Sequence, residues 1–176
     1  MFKYLLSFLV MVAVGWSGYF VARDGLYPVA LVNFSVITDQ ALNNTFKAAM
    51  AYYGKLKKPE TNQEEFEKEI KRATLEKIIE HKIILENVNL TDVEDQLASL
   101  ISKNKDLEKG VLLAYGLSMK NFLNLVLRPQ AALEILNKSL KDKNENLDKW
   151  LMIKKKSARV FILKGFRWNG ESVENK

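Results

Sequence analysis

An uncharged segment near the start of the chain, Tyr4–Ala22, limits most strongly what this sequence can form. Its nineteen residues, YLLSFLVMVAVGWSGYFVA, match the length that a helix needs to cross the hydrocarbon core of a bilayer. Lys3 lies on one side, whereas Arg23 and Asp24 cancel on the other, so the positive-inside rule places the N-terminus in the cytoplasm. We therefore expect residues 1–24 to be a transmembrane anchor in the cell membrane, with the rest of the chain extracytoplasmic, either periplasmic or at the outer surface.

The alternative for this segment is a cleaved signal peptide. A small-x-small cleavage site begins at Ala13, but the apolar run continues well past it, which favours an uncleaved segment. Small residues also recur at the spacing of packed membrane helices, as at Ala13 and Ser17. This spacing would allow a homodimer.

The composition excludes several kinds of site. The chain has no cysteine, so disulfides, thiolate zinc sites and cysteine nucleophiles are excluded. Its single histidine, His81, excludes two-histidine metal motifs, and we expect neither a metal nor a cofactor. Carboxylate pairs such as Glu76 and Glu80 have helical spacing, which is typical of solvated helix faces. The sequence therefore does not indicate an enzyme.

The net charge of +6 is concentrated in residues 138–176, which hold eleven of the 27 basic residues but five of the 21 acidic ones. Such a region could bind nucleic acid or anionic lipid. Lys154–Lys156 fall in the last turn of a predicted helix, however, where the helix dipole favours cations without any ligand. Because the predicted anchor places this region outside the cytoplasm, we expect no nucleic-acid partner.

The region after the anchor is predicted to be mostly helical. Capping residues precede apolar periodic segments at Thr38, Asn62, Thr91 and Ser118. The longest soluble helix is predicted from Asn62 to about Val88. The helix from Ser118 to about Leu140 is apolar on more than one face, as expected of a buried central helix. Pro129 removes one backbone donor inside it, so we expect a kink or a break there.

Strand-like sequence occurs at the two ends of this region. Val29–Val36 is rich in β-branched residues, and ARVFILKGFRWNG, from Ala158 to Gly170, combines β-branched and aromatic residues. A lone strand cannot satisfy its backbone hydrogen bonds, so we expect the two ends to pair in a small sheet, with the helices between them. The predicted domain therefore spans residues 25–170, and residues 171–176 are predicted to be a disordered tail.

A series of short motifs follows a consistent order along the chain. They are Val32-Asn33 with Val36-Ile37-Thr38, LxxIIExxIIL from Leu75 to Leu85, NLTDVE from Asn89 to Glu94, and Tyr115-Gly116-Leu117-Ser118 with Phe122. In order and spacing they resemble the N-terminal domain of SurA-type periplasmic foldases, and the resemblance spans Val29 to about Phe161. The chain departs from the family at Phe34, where a glycine is usual, so the tight strand-to-helix turn is expected to shift by a residue.

The resemblance implies a chaperone domain that binds unfolded or nascent extracytoplasmic polypeptides. SurA-type proteins commonly also carry parvulin prolyl-isomerase domains, but the segment after Phe161 is too short for one. We therefore expect the chaperone part without the isomerase part, and no catalytic residue is carried over.

Flexible and aromatic side chains suit a surface that binds varied polypeptides. The candidate peptide-binding residues are Met50, Tyr52, Tyr53, Met119 and Phe122. At helical spacing the same residues could instead belong to the core. Residues expected to have structural roles are Asn33, Thr38, Gly116, Ser118 and Pro129.

The sequence also supports a second interpretation of the helical domain. It could be a structural or assembly protein that docks onto one fixed partner in the cell envelope. A single stoichiometric partner would favour docking, whereas a mixed set of unfolded clients would favour a chaperone.

Overall fold

The structure of the protein is a computed structural model that describes residues 25–56, 62–103, 110–113 and 117–176. The predicted membrane helix and Gly116 lie outside these residues. None of the helices in the described ranges is both long enough and apolar enough to cross a bilayer.

Helices occupy the middle of the described chain, and short strands occupy its two ends. The first elements are β1 (Pro28–Val32), β2 (Ser35–Thr38), α1 (Asp39–Leu56), α2 (Gln63–Leu85) and α3 (Leu90–Lys103). Residues 110–113 are helical, and then come α4 (Met119–Phe122), a π-helical turn (Leu123–Leu127) and α5 (Arg128–Asp142). The last elements are α6 (Leu147–Ser157), β3 (Val160–Ile162), β4 (Phe166–Trp168) and β5 (Val173–Asn175). The prediction of a mostly helical domain is confirmed.

Within the described residues, the strands form two antiparallel sheets: a three-stranded sheet in the order β2-β1-β3, and a hairpin of β4 and β5. Leu31 of β1 lies opposite Phe161 of β3, so the predicted pairing between the two ends of the domain is confirmed. The single strand predicted at Val29–Val36 is instead a hairpin. Asn33, at φ 52, takes the left-handed conformation that this turn needs, and asparagine adopts it more readily than most residues. Phe34 therefore occupies the turn without a positive φ of its own.

The prediction of a disordered tail at residues 171–176 is wrong. β5 lies in this segment and pairs with β4, and Val173 is only 1% exposed. Asn169 organises the turn between the two strands, because its Oδ1 accepts hydrogen bonds from the backbone N–H groups of Glu171 (2.9 Å) and Ser172 (2.8 Å). Packing of Val173 in the core near α2 then fixes the end of the chain.

Several helices begin where capping residues were predicted. Side-chain oxygens of Thr38, Asn62 and Ser118 each accept a hydrogen bond from a backbone N–H in the following turn. The cap predicted at Thr91 is displaced by two residues, because Oδ1 of Asn89 accepts the N–H of Thr91 at 3.0 Å and α3 has already begun at Leu90. At α3, Asn89 rather than Thr91 is the polar side chain nearest the free N–H groups of the first turn, so Asn89 caps the helix.

Pro129 follows an irregular turn of the central helix. The turn Leu123–Leu127 is π-helical, and the N–H of Arg128 donates to the carbonyl oxygen of Leu123, five residues earlier. A proline inside an α-helix donates no hydrogen bond, and its ring crowds the carbonyl four residues before it. A wider turn accommodates both effects, so the expected irregularity is a π-helical turn after which the helix continues.

Buried apolar side chains of the described residues form three groups. The first group lies between the three-stranded sheet, α2 and the C-terminal hairpin and includes Ala30, Val32, Ile37, Leu75, Ile79, Ile83, Phe166 and Val173. The second joins the end of α2 to α3 and α5 and includes Ile84, Val93, Leu97, Ala132, Leu136 and Leu140. The third consists of Ala48, Val111, Leu117 and Phe122. α1 and α2 thus pack on one face of the sheet.

Candidate functional site

An open cleft of about 400 Å³ separates parts of α1 and α2. α1 contributes Thr45, Ala49 and Tyr53, which recur every four residues and therefore lie on one helix face. α2 contributes Ile70 and Ala73 to the opposite side. The small alanine side chains leave the space between the two helices unfilled, and its volume falls within the range of ligand pockets.

One side of the cleft is lined by charged side chains of α2 that are tied to the C-terminal elements. Nη1 of Arg72 donates to Oε2 of Glu76 at 2.9 Å and to the carbonyl oxygen of Val173 at 2.7 Å. Nζ of Lys155, from α6, donates to Oε1 of Glu76 at 3.2 Å and to Oε1 of Glu80 at 3.0 Å. We call the four charged side chains, Arg72, Glu76, Glu80 and Lys155, the charged wall. It connects α2 to α6 and to β5, and so fixes one side of the cleft.

Two members of the charged wall, Glu80 and Arg72, keep their charges at neutral pH. Burial alone would raise the pKa of Glu80, but hydrogen bonds from Lys77 at 2.5 Å and from Lys155 outweigh burial and hold that pKa below its ordinary value. Arg72 likewise holds the pKa of the neighbouring Glu69 below its ordinary value, mainly through a hydrogen bond. The pKa of Arg72 is itself raised, first by its hydrogen bond with Glu69. The cleft therefore offers fixed, internally paired charges.

His81 does not supply an acid–base group to the cleft. Burial, with a smaller contribution from the nearby Lys77, lowers the pKa of His81 to about 4, so the imidazole is neutral at physiological pH. The side chain is not among those that line the cleft. In the part of the chain that the structure describes, no cluster of three or more His, Asp or Glu side chains could hold a metal ion.

The five predicted peptide-binding residues lie in two separate places. Tyr53 lines the cleft, and the ring of Tyr52 contacts it edge-on with centroids 5.5 Å apart. Met50 is half-buried on the same helix. Met119 packs against the third core group, and Phe122 is a member of that group with 6% of its surface exposed. The structure therefore brings Tyr53 into the cleft and places Phe122 in the core.

Asn33, predicted to be structural, connects three segments of the chain. Its Nδ2 donates to Oε2 of Glu86, just after α2, at 2.6 Å. Its Oδ1 accepts the N–H of Arg159, just before β3, at 2.9 Å, and its own N–H donates to the carbonyl oxygen of Arg159 at 2.8 Å. The turn between β1 and β2 is thereby held against the end of α2 and the start of β3.

The charged wall does not follow from the sequence: the spacing of Glu76 and Glu80 is typical of a solvated helix face, whereas the structure pairs both with Lys155. The small residues of the cleft lie in segments that the sequence predicts only as apolar helix faces. The one sequence feature that could have indicated a cleft is the presence of small alanines and an aromatic residue on these helix faces, namely Ala49, Tyr53 and Ala73. Small residues on facing helices either allow close packing or leave a gap. The sequence of each helix alone does not decide between these outcomes.

Comparison with known families identifies this part of the chain. Residues 1–123 match the family described as the SurA-like N-terminal domain, so the match includes β1, β2, α1, α2 and α3, and with them the cleft. No curated protein and no solved structure matches the chain. The matched domain is the chaperone part of SurA-type proteins and implies polypeptide binding in general terms. Because the match covers residues 1–123 of 176, the chain belongs to the SurA-like N-terminal domain family.

Proposed function

We propose that the protein is a membrane-anchored extracytoplasmic chaperone that binds unfolded or translocating polypeptides and catalyses no reaction. The observation that carries this proposal is the open cleft between α1 and α2, which lies within the residues that match the family. Its small apolar side chains and the ring of Tyr53 would accept an apolar client side chain without opening the core. The uncharged segment Tyr4–Ala22 supports the anchoring part of the proposal.

Binding in this cleft would be weak for each client side chain. Burying one leucine or phenylalanine contributes about 1.5–3 kcal/mol. A dissociation constant of 1 mM already corresponds to about 4 kcal/mol, so a client must bury about two or three such side chains to bind even weakly. Weak, reversible binding suits a chaperone, because the client must leave in order to fold.

The charged wall would select little among clients by charge. Its members are already paired with each other, since Arg72 contacts Glu76, and Lys155 contacts both Glu76 and Glu80. A client approaching the cleft therefore meets no unbalanced charge from these residues. We expect recognition to depend on apolar side chains, as is appropriate for clients of many sequences.

An anchor would compensate for weak binding. Tethering the domain to the membrane raises its effective concentration beside polypeptides that emerge from the translocation machinery. The chaperone would then meet its clients before they aggregate, although each contact is brief.

A substitution that fills the cleft tests its role. Ala73→Phe places a ring in the cleft lined by Ala49 and Tyr53, so it should weaken both the binding of a fluorescent apolar peptide and the protection of an unfolded client from aggregation. The matched control is Ala98→Phe, because Ala98 is exposed on α3 and does not line the cleft. Both variants are prepared as the full chain in lipid nanodiscs, with peptide binding followed by fluorescence anisotropy and aggregation by light scattering.

Two further measurements decide between the remaining interpretations. Circular dichroism and the urea midpoint of each variant show whether Ala73→Phe has lost function without losing its fold. Full protection by a folded Ala73→Phe variant would exclude the cleft as the binding site. Failure of the wild-type chain to delay the aggregation of any client would contradict the chaperone role, and co-purification of one stoichiometric partner from native membranes would support the structural or assembly alternative.

A further inference from the structure

The outer face of the three-stranded sheet carries apolar side chains on its solvent side. Leu31 of β1 lies opposite Val36 of β2 and Phe161 of β3, so the three form a row across the sheet. Val36 is 47% exposed and Phe161 is 63% exposed. The opposite face of the sheet packs against the first core group. A sheet with one face in the core normally presents polar side chains on the other face, so this row is unusual for a solvent-facing surface.

The row extends towards both ends of the sheet. Leu163, whose N–H donates to the carbonyl oxygen of Val29 at 2.9 Å, is 54% exposed, and Phe34 in the turn after β1 is 99% exposed. We call Leu31, Phe34, Val36, Phe161 and Leu163 the outer face. Exposed apolar side chains grouped in this way indicate an interaction surface rather than chance exposure of single residues.

The chain that precedes the sheet indicates what covers this surface. Two residues, Arg23 and Asp24, separate the uncharged segment Tyr4–Ala22 from Gly25, the first described residue. The entry to β1 is fixed to α1, because the carbonyl oxygen of Gly25 accepts the N–H of Gln40 at 2.8 Å. The five residues 23–27 span at most about 17 Å when fully extended. A bilayer that holds the uncharged segment would therefore lie within reach of the sheet.

The charges beside the outer face match an anionic bilayer surface. Arg159 and Lys164 flank β3 and are both exposed. Cations close to an anionic membrane are attracted to its headgroups, and aromatic rings are enriched at the same depth. Glu86, at the same end of the sheet as Phe34, has its carboxylate engaged by Asn33 at 2.6 Å and by Ser35 at 3.2 Å. A dimer through this face would place four cations, two from each copy, around one apolar interface, which disfavours it.

We propose that the outer face docks onto the surface of an anionic bilayer, with α1 and α2 on the side of the sheet that faces away from the lipid. This inference rests on the membrane anchoring in the proposed function. It adds a fixed orientation of the domain, in which the helical side, and the cleft with it, remains accessible to polypeptides outside the membrane. Phe34 and Phe161 insert at the level of the headgroups, while Arg159 and Lys164 contact anionic headgroups.

The absence of cysteine from the sequence allows a direct test with single labels. Phe34→Cys and Leu163→Cys carry a polarity-sensitive fluorophore at the outer face, and Lys138→Cys, exposed on α5, is the matched control. The full chain is reconstituted in phosphatidylcholine vesicles with and without phosphatidylglycerol, some containing lipids with a nitroxide near the headgroup. In anionic vesicles the two outer-face labels should emit at shorter wavelength and be quenched by the nitroxide, whereas the control label should not. Phe161→Ser in either labelled chain should reduce the quenching.

The remaining outcomes each overturn the docking proposal. Quenching that is no stronger at the outer face than at Lys138, in chains that float with the vesicles, shows that the domain stands away from the membrane. If the shift of the outer-face labels to shorter wavelength increases with the protein-to-lipid ratio, a second copy covers the face. If that shift occurs only after an unfolded polypeptide is added, clients cover it. If the chains do not float with the vesicles, the anchor itself fails, and docking fails with it. Client protection is measured separately, so the chaperone role is tested independently of these results.

Discussion

Lys155 of α6 donates a hydrogen bond to Oε1 of Glu80 in α2 at 3.0 Å, and the two side chains are only 12% and 10% exposed. The same ammonium lies 3.2 Å from Oε1 of Glu76 and 5.7 Å from the centre of the Trp168 ring. One cation therefore connects α2 to both α6 and the C-terminal hairpin. Because the family match ends at residue 123, this contact joins the matched domain to the part of the chain that follows it.

Removal of this cation should destabilise the fold strongly. Lys155→Met keeps the length of the side chain but removes the buried cation shared by the carboxylates of Glu76 and Glu80. Glu76 then keeps only Arg72 as a charged partner, and Glu80 keeps only the exposed Lys77. Loss of one member of a buried ion pair typically costs about 3–5 kcal/mol. We expect the free energy of unfolding, measured by urea denaturation, to fall by an amount in this range.

The neighbouring lysine provides a matched control. Lys156 pairs with Glu171 at 2.8 Å, but their side chains are 54% and 58% exposed. Lys156→Met should therefore change the free energy of unfolding by less than about 1 kcal/mol. Adding Glu80→Gln to Lys155→Met should restore part of the loss, since it removes one of the two buried carboxylate charges that Lys155 neutralised. Equal effects of the two single lysine variants would contradict the assigned difference in burial.

Asn33 should contribute to the stability of the fold in two ways, through its left-handed backbone conformation and through its side-chain hydrogen bonds. Asn33→Ala removes the hydrogen bonds to Glu86 and from Arg159 and places an ordinary residue at φ 52. We expect a loss of about 3 kcal/mol from these effects together. Asn33→Gly removes the same hydrogen bonds but tolerates the left-handed conformation, so it should cost about 1 kcal/mol less. Thermal unfolding of the two variants measures the difference, and a glycine variant no more stable than the alanine variant would exclude backbone strain at this turn.

Two kinds of feature could be predicted from the sequence. Helix starts depend on local capping residues, and strand pairing follows because a lone strand leaves its backbone hydrogen-bonding groups without partners. Capping residues placed the starts of α1 and α2, and the need of a lone strand for hydrogen bonds placed β1 beside β3. The errors arose at turns. The sequence predicts that the domain ends at Asn169-Gly170, whereas this pair lies in the turn between β4 and β5. The segment that follows, ESVENK, has a single β-branched residue and therefore a weak strand pattern. The hairpin between β1 and β2 was missed because the turn uses Asn33 where the family usually has a glycine at the next position.

The candidate site was less predictable because it depends on distant residues. The cleft requires Ala49 of α1 to face Ala73 of α2, and helix periodicity does not fix how two helices are placed relative to each other. The charged wall requires Lys155 to approach Glu80 from 75 residues away in sequence. Tyr53 could be proposed as an exposed aromatic residue, but the sequence could not distinguish it from Tyr52.

His81 should make the protein less stable in mild acid. Its pKa is about 4 in the folded chain, where burial and Lys77 disfavour the proton, and close to 6.5 in the unfolded chain. Below pH 6.5 the unfolded chain therefore binds the proton first, and stability falls as the pH falls towards 4. Between pH 7 and pH 5 we expect a loss of about 2 kcal/mol from this group.

His81→Gln is the variant that isolates this effect, because glutamine is polar but does not titrate. Urea denaturation at pH 7 and pH 5 should show a much smaller difference for the variant than for the wild type. Glu69 and Glu80 have lowered pKa values, so the stability that they contribute is present above pH 4.5 and is lost only at lower pH. An unchanged pH dependence in His81→Gln would therefore contradict the assignment to His81.

Tyr53 and Tyr52 offer the sharpest test of which surface binds clients, because they are neighbours with almost equal exposure, 46% and 47%. Only Tyr53 is among the residues that line the cleft. If clients bind in the cleft, Tyr53→Ala should weaken the binding of an apolar peptide by the cost of losing a partly buried aromatic contact, about 1–2 kcal/mol or roughly tenfold in dissociation constant. Tyr52→Ala should weaken it less, since the ring of Tyr52 is not among the residues that line the cleft and contacts Tyr53 edge-on at 5.5 Å. Fluorescence anisotropy with the full chain measures both constants, and a larger effect at Tyr52 would move the client site from the cleft to the exposed side of α1.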